Sequence, residues 1–166
     1  MSNTVSREDI EKNLDVSWKR LIDKDASLLE NDLAERCIAH RFAVYLEGVF
    51  PGWDVDCEYN RDGNWVKEIP LSDDCRELLR KSERVSPDII VHRRGDPGPN
   101  LLAIEIKKHG QAGEDCDLAK LRGYMSVFGY SYGLYICFRT KTKANFFVKR
   151  ILLPERSQSG EEYESC

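Results

Sequence analysis

Asp88, Glu105 and Lys107 are the residues of this chain whose types and spacing suit metal-assisted hydrolysis of a phosphodiester. Residues 87–92 (PDIIVH) and 101–107 (LLAIEIK) are apolar or β-branched runs, and 94–100 (RGDPGPN) between them is dense in turn formers, so a β-hairpin is predicted. Side chains alternate along a strand. Glu105 and Lys107 therefore share one face, while Ile104 and Ile106 point the other way into apolar packing. Asp88 at the near end of one strand can meet Glu105 toward the far end of its antiparallel neighbour. Two carboxylates supply hard oxygen ligands for Mg²⁺, with Mn²⁺ as a substitute, and a nearby ammonium favours the deprotonated form of an attacking water.

Pro87-Asp88 followed by Glu105-Ile106-Lys107 resembles the signature of the PD-(D/E)XK nuclease superfamily, the restriction-endonuclease-like fold. The resemblance implies that Asp88, Glu105 and the backbone carbonyl of Ile106 bind the metal and that Lys107 positions the water. Family members often add an acidic residue from the first core helix, and Glu35 is matched to it. Ser27-Leu28-Leu29-Glu30 reads as a capping box opening a helix that runs to about Val49 and stops at Pro51-Gly52. Within it Glu35, Ala39, Phe42 and Leu46 form one helical stripe. Downstream, Lys120 and Tyr124 share a helix face and look like the QxxxY element of the RecB-like branch, with lysine where that branch usually has glutamine. This implies a substrate-binding pair.

Each piece also has an ordinary reading. A Pro-Asp before a strand is commonly a turn, and E-x-K on a strand is commonly a solvated edge pair. Glu35 can serve as a cap partner or pair with Arg36 or Arg41, and Lys120 with Tyr124 can be a half-exposed helix face. The conjunction of helix acid, PD, ExK and basic helix, in that order, favours the nuclease reading.

The chain has 166 residues, 41% hydrophobic and 33% charged, which suits a single globular domain over residues 1–153 followed by an acidic tail, 154–166, without periodicity. Net charge is −4, yet residues 84–153 hold twelve Lys or Arg against six Asp or Glu, while residues 1–35 hold five basic and nine acidic. A basic catalytic half with acidic ends suits local contact with a phosphate backbone, DNA ahead of RNA. Residues 1–13 are polar without an apolar targeting core and no run reaches membrane-spanning length, so a cytoplasmic protein without a membrane partner is expected. Six scattered cysteines lack zinc spacing and are read as buried reduced thiols, with a structural disulfide left open.

The remaining elements are a first helix capped by Ser6, with Ile10, Leu14 and Leu21 inward; strands at 53–59, 133–139 and 145–152; an extended stretch at 65–71; and helices at 72–81 and 114–128. This order predicts an α/β fold with a restriction-endonuclease-like core: a central mixed β-sheet flanked by helices and preceded by N-terminal helices. The expected function is Mg²⁺-dependent hydrolysis of DNA by an activated water. The alternative is a non-catalytic nucleic-acid or protein-binding module that keeps the nuclease fold. So small a domain has little material left for target recognition, so a homodimer or larger assembly is expected.

Overall fold

The computed structural model describes residues 5–59, 61–62, 65–66, 69–79, 86–95 and 99–153. The chain opens with helix α1 (Arg7–Glu30), where the Ser6 side chain accepts from the Asp9 N–H and Asp9 reaches back to Ser6, a complete capping box. Ile10, Leu14 and Leu21 are buried along it as predicted. Ser27 does not cap a helix. It lies in the last turn of α1, two residues past a kink at Asp25 (φ −130°, ψ 22°); Leu29 is fully buried there, and the Ser27 carbonyl accepts from Asn31 at 3.0 Å. Helix α2 (Glu35–Glu47) starts afresh after a turn in which Asp32 takes φ 55°, and Glu35 is its first residue. A serine followed three residues on by glutamate thus fits a helix end as well as a start.

Strand β1 (Asp54–Cys57) leads to a small hairpin, β2 (Arg61–Asp62) with β3 (Trp65–Val66), and then to helix α3 (Asp73–Leu79). The predicted hairpin follows as β4 (Ile89–His92) and β5 (Asn100–Lys108). Helix α4 (Glu114–Phe128) leads into β6 (Tyr130–Phe138), and β7 (Phe147–Leu153) ends the described chain. The predicted end of α3 and the tail at 154–166 lie outside the described residues. The large sheet has the order β1-β4-β5-β6-β7, with β5 and β6 parallel and the other neighbours antiparallel, so it is mixed as expected. The parallel pair requires a crossover, and α4 supplies it.

Alternation along β5 divides the core into two layers. Leu102, Ile104 and Ile106 pack with Ile10, Leu14, Leu21, Ile38, Phe42 and Leu46 of α1 and α2. Ala103, with Ile90 of β4 and Tyr135 and Cys137 of β6, packs with Leu121 and Tyr124 of α4 and Cys75 of α3. Small residues let α4 come close to the sheet: Ala103 pairs in register with Gly133, and a Cβ on Gly133 would stand 3.1 Å from Leu121 Cβ. Close seating is what carries α4 side chains down to β5.

Cys75 and Cys116 form a disulfide that ties α3 to the first turn of α4. This corrects the expectation of reduced thiols for these two residues. The single, widely spaced cysteines hid the pairing because only the packing of α3 on α4 brings them together, whereas Cys37 and Cys57 are free thiols. Among the described residues no helix is long and apolar enough to cross a membrane.

Candidate active site

Pairing between β4 and β5 ends at Ile89 and Ile104. Pro87, just before, has no N–H to extend the ladder. Beyond that point the strands part, and the N–H groups of Ile106 and Lys108, which face away from β6, lose their strand partner. Two carboxylates fill the fork. The Ile106 N–H donates to Asp88 Oδ2 at 2.8 Å, and the Lys108 N–H donates to Glu35 Oε1 at 2.9 Å. The structure thus brings Asp88 from the start of β4 and Glu35 from the start of α2 to the same edge of β5. A strand residue turns its N–H and C=O to the same edge, so the Ile106 carbonyl also opens on this fork.

The α1–α2 turn sets where Glu35 stands. Asp32 accepts from Lys108 Nζ at 2.9 Å, Thr140 Oγ1 at 2.6 Å and Lys141 Nζ at 3.0 Å, which ties the turn to the end of β5 and to the loop after β6. These donors hold its carboxyl well below the usual carboxylate range. Sequence reasoning missed Asp32, since the expected helix from Ser27 to about Val49 placed it inside the helix rather than in a turn that reaches β5.

Glu105 and Lys107 share the α4 face of the sheet. Lys120 of α4 meets them there: its ammonium lies 2.7 Å from Glu105 Oε2 and 2.9 Å from Asp117 Oδ1, and all three side chains are only 3% exposed. Asp117 Oδ2 in turn lies 2.7 Å from the Lys107 ammonium, which is 13% exposed. The half-exposed helix face considered for Lys120 and Tyr124 is therefore not what forms, since both are buried. Asp117 escaped notice in the sequence because an acid in the first turn of a helix is ordinarily there for the helix dipole. The one available sign was its spacing of three from Lys120.

Burial, with Asp88 and Asp117 nearby, pushes the Glu105 carboxyl well up, against the pull of the Lys120 ammonium. Two carboxylates keep Lys120 charged despite its burial. Burial likewise pushes the Tyr124 phenol far up, with Glu105 and Asp88 adding to the effect, so it stays neutral. Glu105 Oε1, Asp117 Oδ2 and the hydroxyls of Tyr124 and Tyr135 are buried without a hydrogen-bond partner among the described residues, so that Asp117 Oδ2 meets Lys107 as an ion pair alone. Tyr135 lies directly across from Glu105 on β6. Four carboxyl groups (Glu35, Asp88, Glu105, Asp117) face two ammoniums (Lys107, Lys120), which leaves a deficit of positive charge and an unused Glu105 oxygen. Among the described residues no three carboxylate, imidazole or thiol groups stand close enough to form a ready-made ion site.

Glu35 provides a test of this electrostatic arrangement. Burial raises its pKa first and Asp88 adds to the rise, against the Lys108 N–H, Lys107 and the Lys108 ammonium. A carboxyl whose folded pKa lies above its unfolded value costs stability as pH rises through that interval and costs nothing below it. Glu35→Gln keeps an oxygen for the Lys108 N–H and removes the charge. The metal-free variant should therefore melt at the same or a higher temperature than the parent near neutral pH, and the gap should close as pH falls below about 4.5. Thermal melts across pH would show instead a large loss at every pH if Glu35 served a structural ion pair.

No protein-family model, curated protein or solved structure matches this chain.

Proposed function

We propose that the protein is a metal-dependent nuclease that hydrolyses DNA phosphodiesters with an activated water, on a restriction-endonuclease-like core. The observation that carries this reading is the fork at the start of β4. There the carboxylates of Asp88 and Glu35 accept from the neighbouring Ile106 and Lys108 N–H groups, and Glu105, with one oxygen unused, lies within the electrostatic reach of Asp88. The donor set fits Mg²⁺ or Mn²⁺, which take carboxylate, carbonyl and water oxygens, and no thiolate or imidazole cluster is present among the described residues to favour zinc. Asp88, Glu105 and the Ile106 carbonyl would hold the ion, with Glu35 supporting it through the hydration shell or a second ion. When bound, the ion supplies charge neutralisation at the phosphate and lowers the pKa of water.

The chain's own residues do the positioning. Asp88 ties Ile106 to the start of β4, which holds the two strand ends in one place. Lys107 is held by ion pairing, its ammonium 2.7 Å from Asp117 Oδ2, and its N–H groups would serve a water and a phosphate oxygen. Lys120 holds Glu105 by one oxygen, which fixes the direction of the other. Tyr124 packs one turn further along α4 and lies within the electrostatic reach of Glu105 and Asp88. Lys120 and Tyr124 would contact substrate only if α4 shifts, because both are buried. A dimer or larger assembly and a cytoplasmic setting belong to the same reading. The Cys75–Cys116 disulfide counts against the last, because reducing compartments keep thiols free.

Calorimetric titration with Mn²⁺ tests the site. The parent should bind weakly in the absence of DNA, since the carboxylates must first be drawn together, and should prefer Mn²⁺ and Mg²⁺ to Zn²⁺. Asp88→Ala combined with Glu105→Ala should abolish the heat of binding. Undiminished binding in that variant would place any ion elsewhere.

A further inference from the structure

The nuclease reading leaves Asp117 without a role, although it is buried between the two lysines of the site. It stands in the first turn of α4, where its N–H donates to the Gly113 carbonyl at 2.9 Å, and it divides its two oxygens between two lysines. Oδ2 lies 2.7 Å from Lys107 on β5, and Oδ1 lies 2.9 Å from Lys120 one turn along its own helix. Lysine carries its charge on a flexible four-carbon stem, so an untethered ammonium at the mouth of the site would spread over many rotamers. The Gly113 main chain passes close by, since a Cβ built there would stand 3.8 Å from Lys107 Nζ. Leu78 Cδ2 packs on the same side, 3.4 Å from that position, and the contact that is specific to the ammonium is the Asp117 carboxylate.

We propose that Asp117 is a positioning residue: it fixes the Lys107 ammonium over the face shared by Asp88 and Glu105, while Lys120 anchors its other oxygen. Its effect on the reaction runs through Lys107, and it touches neither water nor phosphate. This role rests on the nuclease reading, in which Lys107 orients the attacking water. A positioning residue lowers the rate when lost, without weakening binding, and has nothing left to do once its target side chain is gone.

Asp117→Asn is close to isosteric and removes the charge. With labelled DNA and Mn²⁺, kcat should fall at least about tenfold while KM and Mn²⁺ affinity stay within about twofold of the parent. In a Lys107→Ala background the same substitution should change kcat by less than about twofold. A fall that simply multiplies with that of Lys107→Ala would overturn the proposal, because general loosening of the fold does not depend on Lys107. A second readout needs no activity. Acetylation by acetic anhydride, followed residue by residue by mass spectrometry, should rise several-fold at Lys107 in Asp117→Asn relative to the exposed Lys19, and unchanged labelling would overturn the tether. Should Asp117→Asn fail to fold, Asp117→Glu keeps the charge but displaces it by one methylene. Lys107 should then stay protected while kcat falls, and a parent-like kcat would overturn the proposal. If the parent protein cuts no nucleic acid, the nuclease reading fails and the kinetic role with it, whereas the acetylation result still decides the tether.

Discussion

Lys107→Ala is expected to reduce DNA cleavage in Mn²⁺ at least about a hundredfold, the scale typical of losing a positioned acid–base group. Lys107 faces the same side of β5 as Glu105, and its ammonium is held 2.7 Å from Asp117 rather than by either proposed metal ligand. Truncating it should therefore leave the fold and the Mn²⁺ affinity in place. DNA affinity measured in Ca²⁺ should drop only by the small amount due to one lost positive charge. The loss thus falls on kcat, which marks an interaction made in the transition state rather than in substrate binding. Equal cleavage by parent and variant would remove Lys107 from the chemistry.

The second large effect concerns stability. Lys120 is a buried ammonium between two buried carboxylates, and removing one member of such a group leaves charge uncompensated in the interior. Lys120→Met should destabilise the metal-free protein by about 3–5 kcal/mol. For a chain of this length that is a fall in Tm on the order of 10 °C. The deficit should shrink at lower pH. Burial already favours protonated Glu105 in the folded state, so a proton taken up there relieves the unpaired charge. Adding Glu105→Gln should recover part of the loss at neutral pH, because a buried group stripped of both signs costs less than one stripped of a single partner. Denaturant unfolding of the parent, the single variants and the pair measures this directly, and a Lys120→Met protein as stable as the parent would mean that the ammonium is not what neutralises Glu105.

Much of the frame was legible because it depends on short-range pattern. The turn-rich segment between two apolar runs specifies the β4–β5 hairpin, and strict alternation sends Ile104 and Ile106 to one core layer and Glu105 with Lys107 to the other. The Ser6 capping box and the whole of α4 follow from the same local rules. What escaped depends on contacts distant in the chain. Asp117 is an unremarkable first-turn acid until the Gly133 and Ala103 surface lets α4 settle on the sheet and carries it to Lys107. The Asp88 and Glu35 hydrogen bonds exist because β4 begins two residues after Pro87 and leaves two β5 N–H groups orphaned. A pattern of residue types cannot express that. Ser27 misled for the opposite reason: a local signal was present, but the backbone breaks at Asp25 and again at the Asp32 turn, so that neither break is capped by Ser27.

The central claim is that the fork of β4 and β5 is a catalytic metal site, and the most direct measurement is cleavage of end-labelled single- and double-stranded DNA by the parent protein beside Asp88→Asn. Asparagine retains an oxygen for the Ile106 N–H, so the fork should stay closed while the charge needed for the ion is lost. The account predicts cutting by the parent in Mg²⁺ or Mn²⁺, none in a chelator, and a loss of at least about a hundredfold in Asp88→Asn with an unchanged thermal melt. Failure of the parent to cut DNA or RNA of any length or end structure with either ion, or cutting that survives Asp88→Asn, would contradict it and leave the non-catalytic binding module as the reading of this fold.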